Sequence, residues 1–285
     1  MSHGMHTTCL SNSALKCSLI SRLSSQYFGV SITCSTMALV KHSLSSLAPM
    51  KMNNGETIAR TKGTPQGGVI SPILANLFLH YTFDSWMGRK FPEIQWCRYA
   101  DDGLAHLKTE KQAEFLKAML EKRLKECKLE MHPEKTKIVT CSNRQKYRNK
   151  SFDFLGYTFR SRGAKAKKGE VFTTFLPAVS KKALKEMNAK TRKMGFRNKT
   201  NLSIEEISKI YNPILRGWYN YYGRYYASAL SPLWRHFNRT LIAWMMKKFK
   251  KVRSKTMAGK ILMRIAKQQP KLFIHWEKGI IGSFV

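Results

Sequence analysis

Acid is scarce in this chain. Its 285 residues hold 17 Asp and Glu against 51 Lys and Arg, a net charge of +34, and no acid precedes Glu56. Such a deficit makes a polyanion, nucleic acid above all, the natural partner. The imbalance is uneven: 35 basic and 6 acidic residues lie from Lys135 onward, against 16 and 11 before it, so the binding surface is expected in the C-terminal half. Long apolar runs are also missing. Nothing reaches the roughly 18 residues that a bilayer-spanning helix needs, and mean hydropathy is −0.37, so no membrane partner is expected. The six cysteines form no C-x-x-C pair and have no histidine cluster beside them. That argues against a zinc module and a disulfide framework, and for a reducing, cytoplasmic setting. His80, His106 and His132 have no partners at ligand spacing and read as structural.

Residues 1–45 are rich in Ser, Leu, Thr and Cys and show little sustained periodicity. They read as an unassigned, poorly ordered or divergent N-terminus, with an organelle import segment as the alternative. Pattern appears further on. Ser71-Pro72 reads as an N-cap followed by proline in the first helical turn, and Leu74, Leu77, Phe78 and Tyr81 recur as a core-facing stripe. Gln95 to His106 reads as a β-hairpin with Asp101 and Asp102 at its tip. Phe115, Leu116, Met119, Leu120 and Leu124 mark an amphipathic helix, and strand-like pieces follow at 129–131 and 136–140. After SFDFLGYTFR, the basic stretch 161–175 reads as a linker. Beyond it the pattern is helical. Ser203 and Glu206 form a capping box before Ile207, Ile210, Ile214 and Trp218, with a kink expected at Pro213. Ser231-Pro232 then starts a helix with Leu233, Trp234, Phe237, Leu241 and Trp244 on one side.

Two adjacent carboxylates, Asp101 and Asp102, repel each other unless a turn solvates them or bound cations neutralise them. On a regular strand, neighbouring side chains face opposite ways, so a shared site requires the break that a hairpin tip supplies. Alone, Asp-Asp-Gly is also ordinary turn chemistry. In order along the chain stand TPQGG with its following helix, YADD, HPEKTKIV and FLGYTF. This series resembles the later palm motifs of reverse transcriptases, specifically those of group II intron reverse transcriptase/maturases. The likeness runs from about Ser46 to the C-terminus, and LRGWYNYYGRYY and LWRHFNRTLIAWMMKKFKK are similar to the family's thumb, or maturase domain X.

The resemblance implies an α+β chain: 46–160 a partial reverse transcriptase palm of antiparallel strands with helices, then an all-α thumb/maturase (X) domain at 176–255 and a basic tail at 256–285. It implies an RNA-directed DNA polymerase using Mg2+ that Asp101 and Asp102 would hold, with RNA template, DNA primer, deoxynucleotides and group II intron RNA as partners. Magnesium suits one or two carboxylates plus substrate phosphates, and paired metals about 3.5–4 Å apart steady both reacting oxygens. By the same likeness Gln66, Gly67, Gly68 and Tyr99 would lie near nucleotide and template. Lys135 would assist the leaving pyrophosphate, and Leu155 and Gly156 would form the primer grip. Arg216, Arg224, Arg235, Arg239 and Lys247 would face intron RNA.

One departure stands out. The family's palm supplies a further aspartate from an upstream strand, and no Asp occurs here before Asp84. The family's fingers and the zinc-type endonuclease of some relatives also find no counterpart. The expectation is therefore an N-terminally incomplete copy, weak or inactive as a polymerase, with a non-enzymatic splicing cofactor or a degenerate fragment as alternatives.

Overall fold

The computed structural model describes residues 30–34, 37–38, 50–51, 57–58, 70–140, 151–165 and 171–281. The chain divides into two compact units, one comprising residues 1–154 and 160–175, the other 155–159 and 176–285.

In the first unit, four strands form an antiparallel sheet in the order β5 (Gln95–Tyr99), β6 (Asp102–Leu107), β1 (Val30–Cys34) and β8 (Thr136–Thr140). The N-terminal region expected to be unassigned thus contributes an inner strand of the sheet. Short pairs β2 (Met37–Ala38) with β7 (Glu130–Met131), and β3 (Met50–Lys51) with β4 (Thr57–Ile58), accompany it.

One helical run covers residues 71–90 in three pieces: α1 (Ser71–Leu79), a π-turn (His80–Asp84) and α2 (Ser85–Lys90). The π-turn adds a residue to the helical repeat and shifts the inward face. Leu79, Phe83 and Met87 are buried, whereas Leu77 is 50% and Tyr81 63% exposed, so the expected core stripe lies partly outside. Ser71 is the first helical residue and not the cap, which falls to Ile70 without a side-chain hydrogen bond. Helix α3 (Glu110–Glu126) begins at a Thr109–Gln112 capping box and buries Ala113, Leu116, Leu120 and Leu124, with Phe115 turned outward.

Strands β9 (Ser151–Phe154), β10 (Tyr157–Lys165) and β11 (Val171–Val179) make a three-stranded sheet in the order β11-β10-β9. Much of the stretch expected as a linker at 161–175 is therefore strand, because its alternating residues continue the extended run begun at FLGYTF.

The second unit is helical: α4 (Lys181–Met194), α5 (Ile204–Tyr226), α6 (Ser231–Lys248), α7 (Lys255–Gln268) and the short α8 (Ile274–Glu277). Leu233, Trp234, Phe237, Leu241 and Trp244 on α6 are all buried, and so are Ile207, Tyr211 and Leu215 on α5, while Ile210 faces out. The Ser203–Glu206 capping box is formed. Ser231, like Ser71, is a first-turn residue and not the cap. Residues 256–281, expected to belong to a basic tail, are no tail. Leu262, Ala266, Phe273 and Trp276 join the same core as α6, since their apolar spacing requires a partner surface.

Candidate functional site

Strands β5 and β6 pair Tyr99 with Asp102, so the hairpin turns on Ala100 and Asp101 alone. Ala100 adopts φ +52, a conformation that costs an alanine free energy unless its surroundings impose it. Arg98 imposes it. Its Nη1 donates to the Ala100 carbonyl at 2.7 Å and to Asn76 Oδ1 on α1 at 3.0 Å. The same guanidinium grips Asp84 with two bonds, Nε to Oδ1 at 2.7 Å and Nη2 to Oδ2 at 2.6 Å. Both side chains are buried, where a forked, charge-assisted pair has fixed geometry. His80 Nδ1 stands 3.4 Å from the same carboxylate.

Asp101 and Asp102 are both half-buried. The register then fixes what surrounds them. Cys34, the last residue of β1, lies opposite Gly103 on one side and Thr136 on the other. Asp102 and Lys135, each one residue beyond those partners, therefore share one end of the sheet, about 10 Å apart at two strand spacings. Lys135 is exposed in the turn before β8, and Tyr99 is half-buried. Strand β1 reads VSITC and carries no carboxylate, and Ser35 and Thr36, which follow it outside the described residues, are not acids either.

Two adjacent carboxylates on a tight turn fit one divalent cation that completes its shell with phosphate oxygens. A second cation would need a further carboxylate. Among the described residues no group of three or more His, Cys, Asp or Glu gathers in a metal-ligating cluster. Gln66, Gly67 and Gly68 lie outside the described residues.

Leu155 and Gly156 form the two-residue turn between β9 and β10, with φ +51 and +79. Positive φ at both positions suits the right-handed twist of a tight hairpin. Within the helical unit, Tyr221 Oη donates to the Leu155 carbonyl at 2.9 Å, and Ser180 N–H donates to the Gly156 carbonyl at 2.9 Å. A Cβ on Gly156 would stand 2.7 Å from Tyr222 Oη, so the close approach that this glycine permits is made by the chain's own tyrosine. Tyr157 is fully buried among the rings of Tyr221, Tyr222 and Tyr225.

All five cations expected to face RNA are exposed. Arg216 pairs with Glu277 at 3.3 Å, and Arg224 lies 6.0 Å from the Tyr225 ring. Arg239 and Lys247 line one cleft, which Arg216, Arg224 and Arg235 do not. Burial lowers His275 to a pKa of about 3 and His106 to about 4, so neither carries charge at neutral pH. Burial also pushes the Cys97 thiol up to about 12, which leaves it unreactive.

The sequence reasoning missed Arg98 and Asp84. Asp84 was visible as an acid set among Phe83, Trp86 and Met87, and Arg98 as the residue directly before Tyr99.

No curated protein matches the chain. Residues 22–159 match the model of the reverse transcriptase (RNA-dependent DNA polymerase) family, beginning inside the segment expected to be unassigned. Residues 184–264 match the group II intron, maturase-specific domain. A hairpin bearing paired aspartates, followed on one chain by a basic helical unit, agrees with both matches in their order, and the protein belongs to the group II intron reverse transcriptase/maturases.

Proposed function

We propose that this chain binds group II intron RNA through its helical unit and assists splicing in the cytoplasm, and that its polymerase centre is weak or inactive. The observation that supports this reading is strand β1: it pairs with β6 of the aspartate-bearing hairpin and carries no carboxylate that could serve as the upstream acid the family resemblance implies. A divalent ion, Mg2+ in this reading, would neutralise nucleotide phosphates and activate a primer 3′-hydroxyl. Asp101 and Asp102 would hold it, with Arg98 keeping the turn that presents them. Lys135, at the same end of the sheet, would meet the leaving pyrophosphate, and Leu155 and Gly156 would lie along the primer. With one acid of a cooperative set missing, the rate falls by several orders of magnitude.

Primer extension on an RNA template with a DNA primer, deoxynucleotides and magnesium tests the polymerase half. The expected result is synthesis near background, and efficient extension that Asp101→Ala abolishes would overturn it. The RNA half predicts salt-sensitive binding to a group II intron transcript and protein-dependent splicing at low magnesium. RNA-templated DNA synthesis is the second reading, favoured by the intact YADD turn.

A further inference from the structure

The helical unit contains a cleft of about 740 Å3. One wall is a single face of α6: Arg239, Ile242, Ala243, Met246 and Lys247 recur at three- and four-residue steps. The other is the 3-10 turn Phe196–Asn198, which α4 reaches through Gly195 in the left-handed conformation, φ +64. Lys255, the first residue of α7, closes one end and brings the positive end of that helix to the rim.

The walls are tied together. Phe196 is fully buried, its ring 5.1 Å from both Phe237 and Tyr211. Helix α6 also clamps the loop with three hydrogen bonds: Lys247 Nζ to Asn198 Oδ1 at 2.9 Å, Trp244 Nε1 to the Lys199 carbonyl at 3.0 Å, and Lys248 Nζ to the Leu202 carbonyl at 2.6 Å. The cleft is therefore preformed.

Its chemistry has two halves. Arg197, Arg239, Lys247 and Lys255 supply four positive charges, no lining residue is acidic, and no described carboxylate pairs with Arg197, Arg239 or Lys255. Ile242, Ala243 and Met246 supply an apolar strip between those charges. With Asn198 Oδ1 occupied by Lys247, the amide presents N–H donors. A duplex backbone would use the charges and leave the apolar strip bare. An unstacked nucleotide uses both, and the volume falls in the roughly 300–1,000 Å3 range of small-ligand sites.

We infer that this cleft receives one unpaired RNA nucleotide, with its base laid on Ile242, Ala243 and Met246 and its flanking phosphates on the four cations. The inference rests on the RNA-binding reading and adds a structural selectivity to it: bulged or looped RNA is preferred over continuous duplex.

The test compares a hairpin RNA carrying a single bulged uridine with its fully paired counterpart, titrated with the full chain by fluorescence anisotropy. Wild type should bind the bulged RNA about tenfold tighter, the scale of removing about 50–60 Å2 of apolar surface from water. Ala243→Trp fills the strip and should bring the two affinities together, with circular dichroism confirming the fold. Should that variant misfold, the surface pair Arg197→Ala with Lys255→Ala takes its place. It should lower the slope of log affinity against log salt for the bulged RNA by about 1.4, at about 0.7 per lost phosphate contact. Equal wild-type affinity for both RNAs, or a preference that survives Ala243→Trp, overturns the cleft and leaves general RNA binding standing. Binding to neither RNA overturns both.

Discussion

Arg98 joins helix, π-turn and hairpin with one guanidinium, and its pairing with Asp84 is a buried ion pair that is costly to break. Asp84→Asn leaves a buried guanidinium without its counter-charge, a loss of about 3–5 kcal/mol. A urea titration should show that as a lowered midpoint. Arg98→Lys should not rescue the turn, because an ammonium cannot reproduce the fork that reaches Ala100 and Asp84 together. Residue-scale chemistry also sets a pH response. His275 is fully buried, stacked on Trp234 with ring centroids 5.2 Å apart, and its Nε2 meets Asn238 Oδ1 at 2.8 Å. Its folded pKa of about 3 lies below the ordinary value of 6.5, so between those limits the unfolded chain takes up a proton that the folded chain refuses. Stability therefore falls as pH drops below about 6.5, at up to about 1.4 kcal/mol per unit for this one group. His106 adds in the same direction. Denaturation at pH 7 and pH 5 should show the loss, and His275→Gln should flatten the difference.

At the scale of elements, the Leu155–Gly156 turn makes a sharper prediction than its motif alone. Gly156→Ala places a methyl against Tyr222 Oη in a backbone region that disfavours side chains, at a cost of about 1–2 kcal/mol or more. Adding Tyr222→Phe should return part of that loss, and a double-mutant cycle measured by thermal denaturation would show the coupling. The Asp-Asp-Gly hairpin was legible in sequence because turn chemistry is local, whereas SFDFLGYTFR read as one strand or hairpin arm and its reversal at Leu155 and Gly156 was not foreseen. The strand-like pieces expected at 129–131 and 136–140 form strands Glu130–Met131 and Thr136–Thr140. Helix α1 was legible as a helix, but its inward face was not: Leu79 and Phe83 are buried where Leu77 and Tyr81 were expected, and the π-turn, which leaves no mark on apolar spacing, shifts the phase further from His80 onward. Strand β1 was the hardest. Its five residues lie in a segment without periodicity, and its partners, β6 and β8, are far along the chain, so nothing nearby in sequence declares the pairing.

For the whole molecule, composition foretold the polyanion partner and the basic C-terminal half, but not that the stretch expected as its tail, from residue 256 onward, contributes to the core. Trp276 and Phe273 are as buried as Trp234, and Ile274 N–H donates to Asn212 Oδ1 on α5 at 2.9 Å. A charged surface face hid that apolar face from a reading by net charge. Truncation after Ser254 should therefore abolish the fold of the helical unit and not merely trim a tail. Limited proteolysis should find the shortened protein digested throughout where the intact one resists.

The uncompensated cations of the helical unit have a thermodynamic side. Glu277 serves Arg216 and Lys278 together, and Arg197, Arg239 and Lys255 have no carboxylate at all among the described residues. Folding such a unit crowds like charges, so dilute buffer strains it and a bound transcript relieves the strain. Ligand and folding helper are then one molecule: the transcript would raise the melting temperature of the very surface that holds it.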